Sequence, residues 1–332
     1  MVVPDHVTET RRGTMKIFLA SPIAEATVEQ LAREHDVVVG FDQPDQWPRL
    51  MRDREVLLFR SGVIISADVL QWAPKLELAI RAGSGFDNID LAHCAERGIR
   101  VVRVPGPAAQ AVAEFTLGLL MALSRRICEA DALVRNGHWP KHELGGRLIA
   151  GRSLGIVGAG RIGKRIGEIG ALLGMRVLAC VERPAVEPQL VLAAKGIALT
   201  DFDNVIEQAD VVSVHTPLND ATRRLIDADV IARMRPGALL INTSRGGVVD
   251  ERAVEQALRS GHLGGAALDV HEHEGEGVRS SLAAFPNVIL TPHIGGMAIE
   301  SQQMIGERAT ELIAAHLRGR LDDETTPEEA LV

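Results

Sequence analysis

Ser153–Gly174 reads SLGIVGAGRIGKRIGEIGALLG, and the fold turns on how this stretch is read. An apolar run, Leu154–Val157, meets Gly158, Gly160 and Gly163 in G-x-G-x-x-G spacing, and Ile162, Ile166, Ile169 and Leu173 then recur at helical intervals. Strand, tight turn and helix form the context that a dinucleotide fingerprint requires. Gly158 lets the chain turn sharply, Gly160 lets the backbone approach a pyrophosphate, and Gly163 lets the helix pack closely on the strand. The helix N-terminus then offers unpaired N–H groups and a positive dipole end to the phosphates.

Outward from this stretch the same alternation repeats. Downstream, strands are predicted at Val177–Val181, Ile197–Leu199, Asp210–His215, Ala238–Asn242, Ala266–Val270 and Val288–Leu290. Helices are predicted at Phe202–Gln208, Asp227–Met234, Glu251–Ser260 and, last, Ile299–Leu317. Upstream, KIFLAS, DVVVGF, VLLFRS, LELAIRAGSG and IRVVRVP are strand candidates. Helical patterns over Ala24–His35, Asp45–Asp53, Ala67–Trp72 and Asn88–Arg97 separate them. Pro105-Gly106-Pro107 is expected to act as a hinge before a long helix with Val112, Phe115, Leu119, Ala122 and Leu123 on one face. A second helix is expected over Ala130–Arg135.

Strands alternating with helices imply an α/β fold of two doubly wound parallel sheets. These would be a Rossmann cofactor domain over 106–296 and a flavodoxin-like substrate domain over 15–105 and 297–332. Residues 1–14 are expected to be a disordered polar extension, with Met15 a candidate start, and the acidic tail from Asp322 is expected to fray.

Bulk properties bound the function. With 332 residues the chain is long enough for two cores. Its 46% hydrophobic and 24% charged residues are those of an ordinary soluble protein. A net charge of −8 argues against a nucleic-acid or anionic-membrane surface. The most apolar stretch, Phe115–Leu123, is expected to be too short to span a bilayer, and no signal peptide is evident. Cys94, Cys128 and Cys180 are scattered, as in a protein of the reducing cytoplasm.

Three loops carry the ionisable groups that suit chemistry on a keto acid. INTSRGGVVDE offers Arg245, whose guanidinium fork fits a planar carboxylate. ALDVHEHEGEG offers Asp269, Glu272 and Glu274, and TPHIGG offers His293. An imidazole there can protonate a carbonyl oxygen and take the proton back, while a carboxylate on its far nitrogen fixes the tautomer and favours the charged ring. Arg60-Ser61-Gly62 and Arg81–Gly85 place arginines and small residues at two strand exits, and Gly83–Gly85 can form an N–H nest for a carboxylate. His271 and His273 alternate with glutamates and would share a face of a strand, but no third ligand has metal spacing, so a polar loop without metal is expected.

Together the fingerprint, INTSRGGVVDE, ALDV with its downstream glutamate and NVILTPHIGG resemble the D-isomer-specific 2-hydroxyacid dehydrogenase family. APKLELAIRAGSGFDNID and Val112-Ala113-Glu114 extend the resemblance from Met15 nearly to the last helix. It implies an NAD(P)-dependent oxidoreductase with Arg245, Glu274 and His293 as catalytic residues, the glutamate lying five positions after Asp269. It also implies Asp269 at the nicotinamide amide, and Ser84 and Gly85 with Arg60, Ser61, Arg245 and His293 around the substrate. Arg161, Ile162, His215, Thr216, Pro217 and Thr243 complete the cofactor candidates with Gly158, Gly160 and Gly163. A homodimer through 112–139 is implied, with Trp139 at the edge of the partner's site.

The departures from the family pattern concern cofactor and substrate. Val181 stands where members that prefer NAD usually have a ribose-binding aspartate, and Glu182-Arg183 follow. Glu182 would repel a 2′-phosphate and favour NAD, whereas Arg183 would meet that phosphate and favour NADP; the reading leans to NAD. Where the family usually has a phenylalanine and prolines, this chain has His271, His273 and Gly275. A small keto acid of the glyoxylate or hydroxypyruvate type is the expected substrate. The alternatives are D-3-phosphoglycerate, for which Arg60 and Arg81 are the candidate cations, and a nucleotide-sensing co-repressor on the same fold. Formate is disfavoured, since formate dehydrogenases pair their histidine with glutamine.

Overall fold

Every strand that pairs into a sheet among the described residues runs parallel to its neighbours, in a computed structural model that describes residues 13–182 and 186–331. The chain divides into two compact units, one reaching Ala108 and resuming at Met297, the other Ala109–Gly296.

The first unit contains β1 (Lys16–Leu19), β2 (Asp36–Val39), β3 (Val56–Phe59), β4 (Leu78–Arg81) and β5 (Arg100–Arg103) in the order β2-β1-β3-β4-β5. That is the flavodoxin-like doubly wound order. Each residue of β3 and β4 is buried, as parallel strands covered on both faces require. The helix Ile299–Leu317 returns here, where Ile305, Ala309, Leu312 and Ile313 share a core with Ile17, Leu58 and Ile80. The helix expected over Asp45–Asp53 is only a 3-10 turn, Pro44–Gln46, and one α-turn, Trp47–Leu50. Trp47 is pinned there, its indole donating to the Gly40 carbonyl at 2.8 Å and its ring standing edge-on to Phe18.

The tail does not fray as expected. Arg103 N donates to Glu329 O at 2.8 Å and Leu331 N to Val101 O at 2.9 Å, an antiparallel bridge to the edge strand β5. The buried Glu329 carboxylate accepts from Arg308 Nε and Nη2 and from Thr326 N, all at 2.9 Å. Burial pushes this carboxyl up, but the Arg308 and Thr326 donors outweigh it and hold it below the usual 4.5. A carboxylate so lowered stabilises the fold above its unfolded value and loses that contribution as pH falls through its folded one. Glu329→Gln should therefore cost about 1.5–3 kcal/mol at neutral pH, and less as pH falls below the carboxylate range. Urea unfolding at the two pH values measures this; an equal cost at both would contradict it.

The second unit contains β6 (Ser153–Val157), β7 (Arg176–Cys180), β8 (Ile197–Leu199), β9 (Val211–Val214), β10 (Ala238–Asn242), β11 (Leu263–Leu268) and β12 (Val288–Leu290). Their order is β12-β11-β10-β9-β6-β7-β8, the Rossmann arrangement extended by one strand, with its reversal between β6 and β9. Asp201, Asp227 and Asp250 cap three of its helices, each carboxylate accepting a backbone N–H of the first turn. Leu173, which continues the helical spacing of Ile162, Ile166 and Ile169, is the exposed residue that ends the fingerprint helix.

Gly106 and Pro107, expected as a hinge, are the first residues of the helix Gly106–Ser124, a position that proline tolerates. At 19 residues this helix is long and apolar enough to cross a membrane by length and composition, unlike the shorter run foreseen from the sequence. One face of it packs into a protein core: Ala113, Leu117, Leu120 and Leu123 are buried with Leu154 and Ile156. The helix expected at Ala130–Arg135 begins earlier, at Ile127, and Val186–Ala194 is a helix not foreseen.

Candidate active site

The fingerprint residues build a cradle at the reversal of the second sheet. A Cβ on Gly163 would overlap the Gly158 carbonyl oxygen, so only glycine lets the helix Arg161–Leu172 sit this close to the turn. Gly158 makes that turn with φ +100°. Gly160, the N-cap, carries no side chain to satisfy the first N–H groups of the helix, and a Cβ built there would meet nothing within 4 Å. Open space thus faces the first turn of the helix.

Opposite, at the carboxyl end of β9, the His215 carbonyl oxygen lies 2.7 Å from a Cβ built on Gly158. Two buried polar atoms there, His215 Nδ1 and Thr216 Oγ1, have no partner among the described residues. Burial pushes the His215 imidazole down to about 3, so the ring is neutral, with Nε2 2.7 Å from Ser213 Oγ. Orphaned polar atoms and a helix N-terminus beside open space fit the phosphates and ribose of a dinucleotide. Arg161, Pro217 and Glu182 are exposed, Ile162 is half-buried, and Arg183 lies outside the described residues.

The cradle makes a discriminating prediction. Gly160→Ala should fold with an unchanged Tm in the absence of cofactor but bind dinucleotide about tenfold or more weakly, a loss of about 1.4 kcal/mol. Gly163→Val should instead lower the Tm steeply. Calorimetric titration and thermal unfolding separate the two; equal effects would contradict the assignment of Gly160 to the ligand side.

The ionisable groups sit on the loops after β10, β11 and β12. Asn242, 1% exposed at the end of β10, shapes the first loop. Its Oδ1 accepts from Ser244 N at 3.1 Å and Ser244 Oγ at 2.7 Å, and its Nδ2 donates to the Arg245 carbonyl at 3.0 Å. Arg245 is half-buried and donates from Nη1 to Ser244 O at 2.7 Å. Thr243 shares a 2.9 Å hydroxyl contact with Thr116. A Cβ on Gly246 would overlap the His271 carbonyl oxygen, so this glycine lets the arginine loop press against the glutamate loop.

Glu274 and His293 meet across two of these loops, Glu274 Oε2 lying 2.9 Å from His293 Nδ1. Burial raises the Glu274 carboxyl; the His293 hydrogen bond and charge, with the His271 N–H and charge, hold it below the usual 4.5. It is therefore an ionised acceptor, which fixes the hydrogen of His293 on Nδ1 and leaves Nε2 as the working atom. His293 has φ +56°, a left-handed conformation that a non-glycine residue keeps only when its surroundings impose it. Asp269, 1% exposed, imposes it: Oδ1 accepts from Thr291 Oγ1 at 2.6 Å and Ile294 N at 2.9 Å, and Oδ2 from Gly295 N at 2.7 Å. The Asp269 carbonyl also accepts from His293 N at 2.7 Å.

His271 and His273 do not share a strand face, because β11 ends at Leu268 and both lie in a loop. His271 turns to the Thr291 carbonyl and His273 is exposed. Sequence reasoning passes over Asn242 and Thr291 as parts of the site and takes His271 only for part of a polar loop.

In the first unit, Arg60 leaves β3 half-buried, donating from Nη2 to Met297 Sδ at 3.1 Å, with Nε buried and lacking an acceptor among the described residues. Asn88 Nδ2 fixes its loop through the Arg60 and Val63 carbonyls. Ser84 donates to Pro105 O at 3.1 Å, and Ser61 and Gly85 are half-exposed. Arg81, a candidate cation, is instead 5% exposed and folded beneath Gly83, Nη1 on the Ala82 carbonyl.

A Rossmann sheet with a phosphate cradle and a carboxylate-backed histidine defines a nicotinamide-dependent oxidoreductase. The family model for the NAD-binding domain of D-isomer-specific 2-hydroxyacid dehydrogenases matches residues 117–295. The chain belongs to this family, and it is an NAD(P)-dependent D-2-hydroxyacid dehydrogenase. It is 32% identical to a hydroxypyruvate reductase of Thermotoga maritima, over 91% of this chain and 98% of that protein. It is 36% identical to a glyoxylate reductase of Thermofilum pendens, over 95% of each. A D-3-phosphoglycerate dehydrogenase of Mycobacterium leprae is 38% identical, but the match covers only 57% of that longer protein. Among solved structures, the D-lactate dehydrogenase of Aquifex aeolicus in complex with NAD and lactic acid superimposes with a TM-score of 0.83 at 27% identity, over 95% of this chain and 98% of that one.

Proposed function

We propose that the chain reduces a small, unphosphorylated 2-keto acid of the glyoxylate or hydroxypyruvate type. Ala109–Gly296 serves as its cofactor domain and the other unit as its substrate domain. The observation that carries this reading is the 2.9 Å contact between Glu274 and His293, on loops pressed against the one that bears Arg245. Two relatives matched along nearly their whole length are named for these two keto acids, and the phosphoglycerate enzyme is matched along little more than half.

When bound, the nicotinamide supplies the hydride. Gly158, Gly160, Arg161, Ile162 and Gly163 hold its pyrophosphate side, with Glu182, His215, Thr216, Pro217 and Thr243 along the rest. Glu182 at the exit of β7 favours NAD over NADP. Arg245 grips the substrate carboxylate through two parallel N–H donors, and Arg60, Ser61, Ser84 and Gly85 are the substrate-binding residues of the substrate domain. His293 passes the proton on Nε2 to the keto oxygen and accepts it back in the reverse direction, while Glu274 stabilises the imidazolium. Asp269 keeps the histidine loop in shape. The working form is a cytoplasmic homodimer joined through 112–139, which the free thiols of Cys94, Cys128 and Cys180 and the exposure of Ile127, Val134 and Trp139 support.

The test is a panel of 2-keto acids with NADH and NADPH side by side, followed by the absorbance of the reduced cofactor. Turnover of glyoxylate or hydroxypyruvate with NADH is expected. Cofactor binding without turnover of any acid would instead favour a nucleotide-sensing protein.

A further inference from the structure

We propose that Arg103 is a positioning residue for the substrate, a brace that aims the peptide between Ser84 and Gly85 at the carboxylate of the keto acid. The proposal rests on the reading of Ser84 and Gly85 as substrate-binding residues. The loop after β4 is tied down at both ends. At its far end Asn88 Nδ2 donates to the Arg60 and Val63 carbonyls at 2.8 and 2.7 Å, and at its near end Ser84 Oγ donates to the Pro105 carbonyl at 3.1 Å. Arg103, the last residue of β5, adds a grip of its own. Its Nη1 donates to the Ser84 carbonyl at 2.8 Å, and its Cζ stands 5.1 Å from the centre of the Phe86 ring, within cation–π range.

A trans peptide is planar, with its C=O and N–H on opposite sides. The hold on the Ser84 carbonyl therefore turns the N–H of Gly85 to the face away from the guanidinium. That N–H is a donor suited to a carboxylate, and its direction is set by a side chain on the opposite face.

A brace needs an anchor, since a long half-buried arginine would otherwise follow the loop. Arg103 Nε donates to the Glu328 carbonyl at 2.8 Å. Glu328 is fixed in turn by the residue after it. The buried Glu329 carboxylate is held by Arg308 and Thr326, and the Glu329 carbonyl accepts from Arg103 N at 2.8 Å. One guanidinium thus ties the C-terminal segment to the substrate loop through two donors in a fixed plane.

The experiment compares Arg103→Leu with Arg103→Gln after thermal unfolding has shown each to be folded. Arg103→Leu, which has no donor, should raise KM for glyoxylate or hydroxypyruvate about tenfold, while kcat and the KM for NADH stay within about twofold. The slower turnover of glycolaldehyde, which has the carbonyl but no carboxylate, should not change. Arg103→Gln, whose amide can donate to the Ser84 carbonyl, should recover part of the loss. Glu329→Gln, which loosens the anchor, should raise the same KM less, and should add nothing once residue 103 is already substituted by leucine. Amide NMR reads the peptide directly. Oxamate, a keto-acid analogue that NADH does not reduce, should shift the Gly85 N–H of the native enzyme in the presence of NADH, and shift it much less in Arg103→Leu. A folded Arg103→Leu enzyme with native KM overturns the brace, as do equal losses on keto acid and glycolaldehyde or equal impairment of the Leu and Gln variants. Additive effects of Arg103→Leu and Glu329→Gln overturn the anchor. If oxamate leaves the Gly85 N–H of the native enzyme unmoved, it is the reading of this loop as a substrate site that fails.

Discussion

His293→Asn is expected to lower kcat for keto-acid reduction by about 10³-fold while leaving NADH affinity within twofold. Asparagine suits the test better than alanine because position 293 has φ +56°, a conformation asparagine adopts readily. The cage around the loop survives the change, since Asp269 holds Thr291 Oγ1, Ile294 N, Gly295 N and, through its carbonyl, the backbone N–H of residue 293 itself. What is lost is the group that hands a proton to the developing alkoxide, an interaction made only in the transition state, so kcat and kcat/KM should fall together. Glu274→Gln should cost less, about 10²-fold, because a neutral amide can still accept from His293 Nδ1 but gives no charge to stabilise the imidazolium. The native carboxylate is held below its usual range, so it stays ionised as pH falls through 4.5 and its support for His293 fails only below that value. Steady-state kinetics across pH check both statements. A His293→Asn enzyme with native kcat would remove the histidine from the chemistry.

Much of the fold could be read from the chain because both sheets are parallel and covered on both faces, so their strands appear as unbroken apolar runs. Ile197–Leu199, Ala238–Asn242, Val288–Leu290, Phe202–Gln208 and Ile299–Leu317 fall where their patterns place them. The errors have local physical causes. β11 starts at Leu263 rather than Ala266 because Gly264 and Gly265, which resemble turn residues, lie where neighbouring backbone comes close, the Asn287 carbonyl within 2.7 Å of a Cβ built on Gly265. The tail looks fit only to fray, since composition cannot reveal that Glu329 finds Arg308.

At the site, spacing identified the groups that bring chemistry but not those that hold them. Thr291 and His271 act through hydrogen bonds across loops distant in sequence and Asn242 through three bonds within its own loop, and no period or motif announces such contacts. The one available sign was an asparagine at a strand end directly before Thr-Ser-Arg, where its side chain can only fold back on its own backbone.

Arg245→Ala should leave the fold and NADH binding intact but lower kcat/KM for the keto acid by about 10²–10³-fold, mostly through KM, as expected when a buried charge pair loses one partner. The loop will not collapse with the side chain, because Asn242 reaches the backbone carbonyl of residue 245 and the main chain and hydroxyl of Ser244, none of which depends on the guanidinium. Gly246 likewise keeps the loop against His271 whatever side chain precedes it. Arg245→Lys should recover only part of the loss, since an ammonium restores the charge but not two parallel donors in the plane of a carboxylate. The sharper readout is selectivity. Against an aldehyde of the same length that lacks the carboxylate, the native enzyme should be far slower than with its keto acid, and Arg245→Ala should erase most of that difference by slowing the acid alone. If the substitution slows acid and aldehyde equally, Arg245 does not bind the carboxylate, and the substrate must be gripped by other residues.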